Sequence, residues 1–118
     1  MSRDFSIGNV ESTFKPKSHI MYKILKDVVG FEDERENGIV YIEDLAKTIV
    51  NLKFIIDTME SPNINEDAIK IFMENFSFYE TDDFAETLKN CKDAYNLFVD
   101  CLVNSVINKD KEISWDYS

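Results

Sequence analysis

Glycine and proline are scarce in this sequence, whose 118 residues include 3 Gly and 2 Pro. A β-sandwich or β-barrel joins many short strands through turns that need these residues, so the composition disfavours both architectures. The sequence also lacks an uninterrupted apolar run of about 18 residues, the length that a membrane-spanning helix requires. Its first residues do not combine a charged segment with an apolar one, as a secretory signal does. We therefore expect a cytoplasmic protein that does not contact a membrane.

Cysteine and histidine are equally rare, with 2 Cys and 1 His. Cys91 and Cys101 fall in one predicted helix, which would place their Cα atoms about 15 Å apart. A disulfide needs Cα atoms within about 7 Å, so we predict free thiols, as in a reducing cytosol. His19 has no second histidine with which to build a zinc cluster, and no Cys–His catalytic pair is apparent. We predict no metal, no cofactor and no enzymatic activity.

Acidic residues are abundant: 23 Asp and Glu stand against 13 Lys and Arg, for a formal net charge of −10. The imbalance is local, because residues 31–118 contain 20 acidic and 8 basic residues, whereas residues 1–30 contain 3 and 5. With 44% apolar residues the chain can still fold around a core. A strong negative field favours basic partners and disfavours nucleic acid or an anionic membrane as the direct ligand.

Four segments carry apolar residues at helical spacing, and residues that cap helices lie at their ends. The last segment is the longest, and its apolar residues recur in alternating steps of 4 and 3 from Phe84 to Leu102. The predicted helices begin after Ser18, near Glu43, after Asn63 or Asn65 and after Thr81, and the first two end at Gly30 and at Ser61–Pro62.

These segments predict an all-α fold: a single-domain bundle of about four helices with a non-helical N-terminal arm and C-terminal tail. The arm comprises residues 1–17, the helical domain residues 18–108, and the polar and aromatic tail residues 109–118. In the tail, Ile113, Trp115 and Tyr117 alternate with polar residues, which is typical of a short strand or a docked extended segment.

The segment between the first two helices has a glycine and an apolar residue at EF-hand spacing. Asp33 lies at loop position 1, and positions 5, 6, 8 and 12 are occupied by Asn37, Gly38, Val40 and Asp44. This pattern resembles the EF-hand family, and the resemblance implies a calcium loop between two helices. Position 3, however, is Arg35, and Asp44 is too short for the usual bidentate contact. We therefore interpret the segment as an acidic turn with Asn-Gly at its tip, without a calcium site. The alternative is a degenerate, metal-free helix pair that resembles an EF-hand.

Two pairs of carboxylates have the spacing found in the all-α nucleotide pyrophosphohydrolases, in which such pairs on facing helices hold magnesium. The pairs are Asp57 with Glu60 and Glu80 with Asp83. Both pairs fall at predicted helix edges, whereas magnesium needs rigidly held ligands. Among 23 acidic residues, pairs three apart arise repeatedly by chance. A magnesium-dependent hydrolase is therefore the weakest of three functional hypotheses.

Two acidic clusters precede predicted turns, and four aromatic residues lie outside the helical stripes. Basic residues are not interspersed to neutralise these clusters, and their self-repulsion opposes folding. A partner would explain why the protein tolerates them. The predicted partner-binding residues are Glu32, Asp33, Glu34, Glu36, Glu80, Asp82, Asp83 and Glu86, together with Tyr41, Tyr79, Trp115 and Tyr117.

The leading hypothesis is a small acidic cytosolic binding protein that neutralises a basic protein partner. An immunity protein against a nuclease toxin fits this description, as does a phage or viral inhibitor that mimics the charge of nucleic acid. The alternative is a helical adaptor that presents an apolar groove to a partner helix. The first hypothesis predicts association that slows with ionic strength, and the second does not.

Overall fold

The computed structural model describes residues 5–8, 18–29, 36–61, 63, 65–76 and 84–117. Within these ranges the chain is mostly helical, with three short strands. In chain order the elements are β1 (Phe5–Ile7), α1 (Ser18–Val29), β2 (Asn37–Tyr41), α2 (Ile42–Glu60), α3 (Glu66–Met73), α4 (Phe84–Ile107) and β3 (Glu112–Tyr117).

The three strands form one antiparallel sheet in the order β1-β3-β2. The prediction of an all-α fold is therefore wrong, because the described parts of the arm and the tail are paired strands. Phe5 lies opposite Tyr117, and Val40 lies opposite Ile113. The alternation in the tail did indicate a strand, and β3 confirms it. The division of the chain at residues 17 and 108 stays a prediction.

Local sequence explains where α2 and α3 begin. Tyr41 is extended (φ −78°, ψ 150°), and α2 follows it with Glu43 and Asp44 in the first turn, where negative charge suits the helix dipole. Asn65 is the N-cap of α3: its side-chain oxygen accepts a hydrogen bond of 2.8 Å from the backbone N–H of Ala68. This settles the predicted choice between Asn63 and Asn65.

The core lies between the helices and one face of the sheet. Helices α2 and α4 pack along each other, and α1 adds further apolar side chains. The sheet closes the core with four side chains that are 1–3% exposed: Ile7, Val40, Ile113 and Trp115. These residues belong to one continuous apolar cluster with Leu45 and Leu52 of α2 and Phe98 of α4.

Both cysteines are free and buried in α4, as predicted. Burial away from water raises the pKa of the Cys91 thiol to about 12. Burial also raises the pKa of the Cys101 thiol to about 11, and a hydrogen bond with Ser105 partly opposes this effect. A nucleophilic cysteine must ionise near neutral pH, so both thiols act as small core residues.

In the part of the chain that the structure describes, we find no helix that is both long and apolar enough to span a bilayer.

Candidate functional site: the outer face of the sheet

The two faces of the sheet differ because alternate residues of a strand point to opposite sides. Val40, Ile113 and Trp115 point towards the helices and are buried. The residues between them point away from the core and are exposed. We call this second surface the outer sheet face, and it consists of Ser6, Asn37, Ile39, Tyr41, Glu112, Ser114 and Asp116.

Cross-strand pairing fixes which side chains of the outer sheet face are neighbours. Tyr41 of β2 lies opposite Glu112 of β3, and Asn37 lies opposite Asp116. Directly opposed residues have Cβ atoms about 5 Å apart. Each carboxylate therefore lies beside a hydrogen-bonding or aromatic side chain of the neighbouring strand. Ile39, opposite Ser114, lies between the two pairs and is 53% exposed.

Trp115 lies beneath the outer sheet face, where it supports the strands from the core side. Its ring stacks on Phe5 with a centroid separation of 6.1 Å. On the neighbouring strand it packs over Gly38, where an added Cβ would lie only 2.9 Å from the indole atom Cζ2. Because Asn37 and Gly38 are the first two residues of β2, the predicted Asn-Gly turn is wrong. The glycine makes room for an indole ring instead of shaping a turn.

The carboxylates of the outer sheet face differ from those on the helices. On the helices, Lys53 pairs with Asp57 at 3.1 Å, and Lys89 with Asp93 at 3.6 Å. Glu112 and Asp116, by contrast, take part in no ion pair among the residues that the structure describes. Neither carboxylate is therefore held in a salt bridge by a lysine or arginine of the described residues.

The end of the outer sheet face around Tyr41 carries further charge. A shallow depression there is lined by Tyr41, Ile42, Glu43, Asp110 and Lys111. A second, open depression covers the other end and is lined by Ser6, Gly8, Asn37, Gly38, Ile39, Ser114, Trp115 and Asp116. Tyr41, in the lining of the first depression, is 59% exposed. The surface therefore combines an accessible aromatic ring with flanking carboxylates.

The structure places the predicted partner-binding residues in three groups. Glu36, Tyr41, Trp115 and Tyr117 belong to the sheet or adjoin it, and the backbone N–H of Tyr117 donates to the carbonyl oxygen of Glu36 at 2.6 Å. Glu86 lies in the first turn of α4. The third group lies outside the described residues: Glu32, Asp33, Glu34, Tyr79, Glu80, Asp82 and Asp83.

Six residues of the outer sheet face were not predicted: Ser6, Asn37, Ile39, Ser114, Glu112 and Asp116. The signal for the last two was present in the sequence, because they alternate with Ile113, Trp115 and Tyr117 in the tail. If one set of a strand faces the core, the other set must face away from it.

The two metal-binding hypotheses concern residues that are described only in part. In the EF-hand-like segment, Asn37 to Tyr41 form β2, and Asp44 lies in α2, where its carbonyl oxygen accepts the Thr48 hydroxyl at 2.8 Å. Among the described residues, no group of three or more His, Cys, Asp or Glu is placed to hold a metal ion. Asp57 and Glu60 each pair with a lysine, and Glu80 and Asp83 lie outside the described ranges.

A second surface feature is an apolar cleft between α1, α2 and α3. Its lining includes the aromatic rings of Phe54, Phe72 and Phe76 together with Ile24, Leu52 and Ile55. Phe54 is 62% exposed, and its ring contacts Phe72 edge-on at 6.2 Å. The lining of the cleft includes one charged residue, Asp27, whereas the outer sheet face includes two, Glu112 and Asp116.

Comparisons of the chain with protein-family models, curated proteins and solved structures found no match. The fold and the surface define a class in physical terms: a small, mostly helical protein whose sheet presents carboxylates and apolar side chains outwards.

Proposed function

We propose that this protein is a small acidic binding protein of the cytoplasm that neutralises a basic protein partner. Two roles fit this class: an immunity protein against a nuclease toxin, and a phage or viral inhibitor that imitates the charge of nucleic acid. The observation that carries the proposal is the outer sheet face. It presents Glu112 and Asp116, which lack ion-pair partners among the described residues, beside the exposed side chains of Ile39 and Tyr41.

The two kinds of side chain would contribute different parts of the binding reaction. Carboxylates attract a basic protein over distance and accelerate its encounter, an effect that weakens as salt is added. Apolar and aromatic side chains exclude water once the complex has formed and so slow its dissociation. The antiparallel strands hold the backbone of both kinds in place, so little backbone entropy is lost on binding.

The experiment compares two charge reversals of equal size. The test variant carries Glu112→Lys and Asp116→Lys, and the control carries Glu74→Lys and Asp100→Lys, which are exposed acids of α3's C-cap and of α4. Inhibition of a panel of purified basic ribonucleases and deoxyribonucleases identifies a target. Stopped-flow measurements then give association rates at low and physiological salt.

We expect the test variant to slow association with that target by about tenfold or more at low salt, and the control by less than about threefold. Equal effects of the two variants would show that only the overall charge matters, and would contradict a role for the outer sheet face. If no nuclease of the panel is inhibited, none of the enzymes tested is the target.

Two further reversals test the acidic clusters that were predicted from the sequence. One changes the acids at positions 82, 83 and 86 to Lys, and the other changes those at positions 32, 33 and 34. If either cluster steers the partner, its reversal slows association by a similar factor of about ten. Unfolding must be measured in parallel, because Glu86 lies in the first turn of α4, where negative charge stabilises a helix.

The apolar cleft supports one alternative, a helical adaptor that binds an amphipathic helix of a partner. Phe54 is 62% exposed at its rim, and such rings commonly anchor a helix in a groove. Phe54→Ser should then abolish binding, whereas Val103→Ser, at a residue of α4 that is 53% exposed, should not. Binding in the cleft should change little with ionic strength, which separates it from capture by charge.

A further inference from the structure

Strand β2 lies at an edge of the sheet, since β3 is its only neighbour among the described strands, whose order is β1-β3-β2. An edge strand carries backbone N–H and C=O groups that point away from the sheet and can pair with another strand. Proteins commonly protect such edges with proline, charges or a bulge. The sequence of β2 is Asn-Gly-Ile-Val-Tyr, which contains no proline and no charged residue that would block pairing.

The hydrogen-bonding register identifies which backbone groups of β2 point outwards. The N–H of Tyr117 donates to the carbonyl of Glu36 at 2.6 Å, and the N–H of Ile42 donates to the carbonyl of Lys111 at 3.1 Å. In an antiparallel pair, bonded positions alternate with non-bonded ones. Residues 38 and 40 therefore bond to β3, and the N–H groups of residues 37, 39 and 41 point away from it.

These outward N–H groups have no acceptor among the described residues. The side chains beside them are accessible, since Ile39 is 53% and Tyr41 59% exposed. Both side chains belong to the outer sheet face, so a strand added at this edge would continue the surface on which Glu112 and Asp116 lie.

We propose that the edge of β2 accepts an extended segment of the basic partner as a fourth strand of the sheet. This inference rests on the proposed function and specifies how the partner is held. Neighbouring strands lie about 4.8 Å apart, so the carboxylates of β3 would lie about 10 Å from the added strand. An extended Lys or Arg side chain can cross most of that distance with its alkyl stem packed on Ile39 or Tyr41 and its charge near Glu112 or Asp116.

Charge also decides between a basic partner and a second copy of this chain. Pairing of β2 with β2 of another copy would bring the outer sheet faces together, with Glu112 and Asp116 of each copy in one surface. Each copy carries a net charge of −10, so the copies repel each other. A strand with alternating Lys or Arg reverses the sign of this interaction and makes it favourable.

The probe is a synthetic seven-residue peptide in which Lys or Arg alternates with Val or Thr. Its matched control has the same sequence and charge but carries N-methyl groups on alternate residues, which removes the backbone donors that face β2. Both peptides are titrated into the intact protein up to millimolar concentration. Amide hydrogen exchange and chemical shifts are followed by NMR.

In the free protein we expect the amides of Asn37, Ile39 and Tyr41 to exchange much faster than those of Gly38 and Val40. The unmodified peptide should slow their exchange by about tenfold or more, because they acquire acceptors. The N-methylated peptide should bind at least about tenfold more weakly than the unmodified one.

Three outcomes overturn the inference. One is binding of both peptides with equal affinity and without protection of these amides, which leaves the proposed function standing as recognition by charge alone. Another is the absence of peptide binding at millimolar concentration. The third is protection that rises with protein concentration in the absence of peptide, together with dimers in sedimentation, which would identify a second copy as the occupant. The proposed function fails separately, if reversal of Glu112 and Asp116 leaves nuclease inhibition unchanged.

Discussion

The two faces of the sheet are built from the same strands and have opposite properties. On the inner face Val40, Ile113 and Trp115 are 1–3% exposed, whereas on the outer face Ile39 and Tyr41 are 53% and 59% exposed. A shift of one residue in the pairing register would exchange the two sets of side chains. Burial of the inner set therefore keeps the outer set facing solvent. The inner face stabilises the fold, and the outer face is free to serve binding.

The largest effect should come from the inner face. Trp115→Ala removes a ring that is 3% exposed and stacked on Phe5, so we expect a loss of about 3–5 kcal/mol in the free energy of unfolding. Urea denaturation followed by circular dichroism measures it. Trp115→Phe, which keeps an aromatic ring, should cost clearly less. A loss below about 1 kcal/mol for Trp115→Ala would break the comparison, because the residue would not be part of the core.

Gly38→Ala tests how closely the two strands approach. The new methyl group would lie 2.9 Å from the indole of Trp115, so the ring or the strand must move, and we expect a loss of about 1–3 kcal/mol. In a Trp115→Leu background the same substitution should cost less, which a double-mutant cycle would show as a coupling energy. If the cost is the same in both backgrounds, the indole is not its cause.

The buried thiols give a smaller effect that depends on pH. The pKa of Cys91 rises from an ordinary value of 9.0 to about 12 on burial, so the folded thiol keeps its proton where the unfolded one loses it. Above about pH 9 the unfolded chain binds fewer protons than the folded chain, so stability falls as pH rises. Cys91→Ala should reduce the loss between about pH 8 and pH 10 by about 1 kcal/mol. An unchanged pH dependence would contradict the burial of this thiol.

The smallest effect on stability is expected for the outer sheet face. Glu112→Lys with Asp116→Lys, and separately Ile39→Thr, should change the free energy of unfolding by no more than about 0.5 kcal/mol each. The same denaturation experiment tests this prediction. A loss of more than about 1 kcal/mol would show that the outer face contributes to the fold, and would remove the contrast between the two faces.

The helices could be predicted well from the sequence because their signals are local. Apolar spacing located all four, and Asn65 was among the predicted caps of α3. The sheet could not be predicted in the same way, since β3 pairs with strands that are distant in the sequence. Apolar residues at every second position of the tail indicate a strand, but they do not identify the strands with which it pairs. The Asn-Gly pair was misinterpreted because glycine serves turns and close packing equally well.

The candidate site was predictable only where a residue stood out by type. Tyr41 was selected because it lies outside the helical stripes, and it is exposed on the outer sheet face. Trp115 was selected on the same ground, yet it is 3% exposed. Alternate side chains of β3 point towards the core, and Trp115 is one of them, which an analysis of helical spacing does not reveal. Glu112 and Asp116 were not singled out among 23 acidic residues, since their special position comes from the strand pairing.

The central position of β3 has a consequence for how the protein folds. Strands β1 and β2 each pair with β3 and not with each other, so within the described part of the chain neither has a strand partner until β3 is in place. Phe5 meets Tyr117 only after a loop that includes every helix has closed, and contacts this distant in sequence form slowly. We therefore expect the helices to pack first and the sheet to form late. During synthesis, the backbone groups of β2 that bond to β3 stay unpaired with that strand until residues 112–117 have left the ribosome.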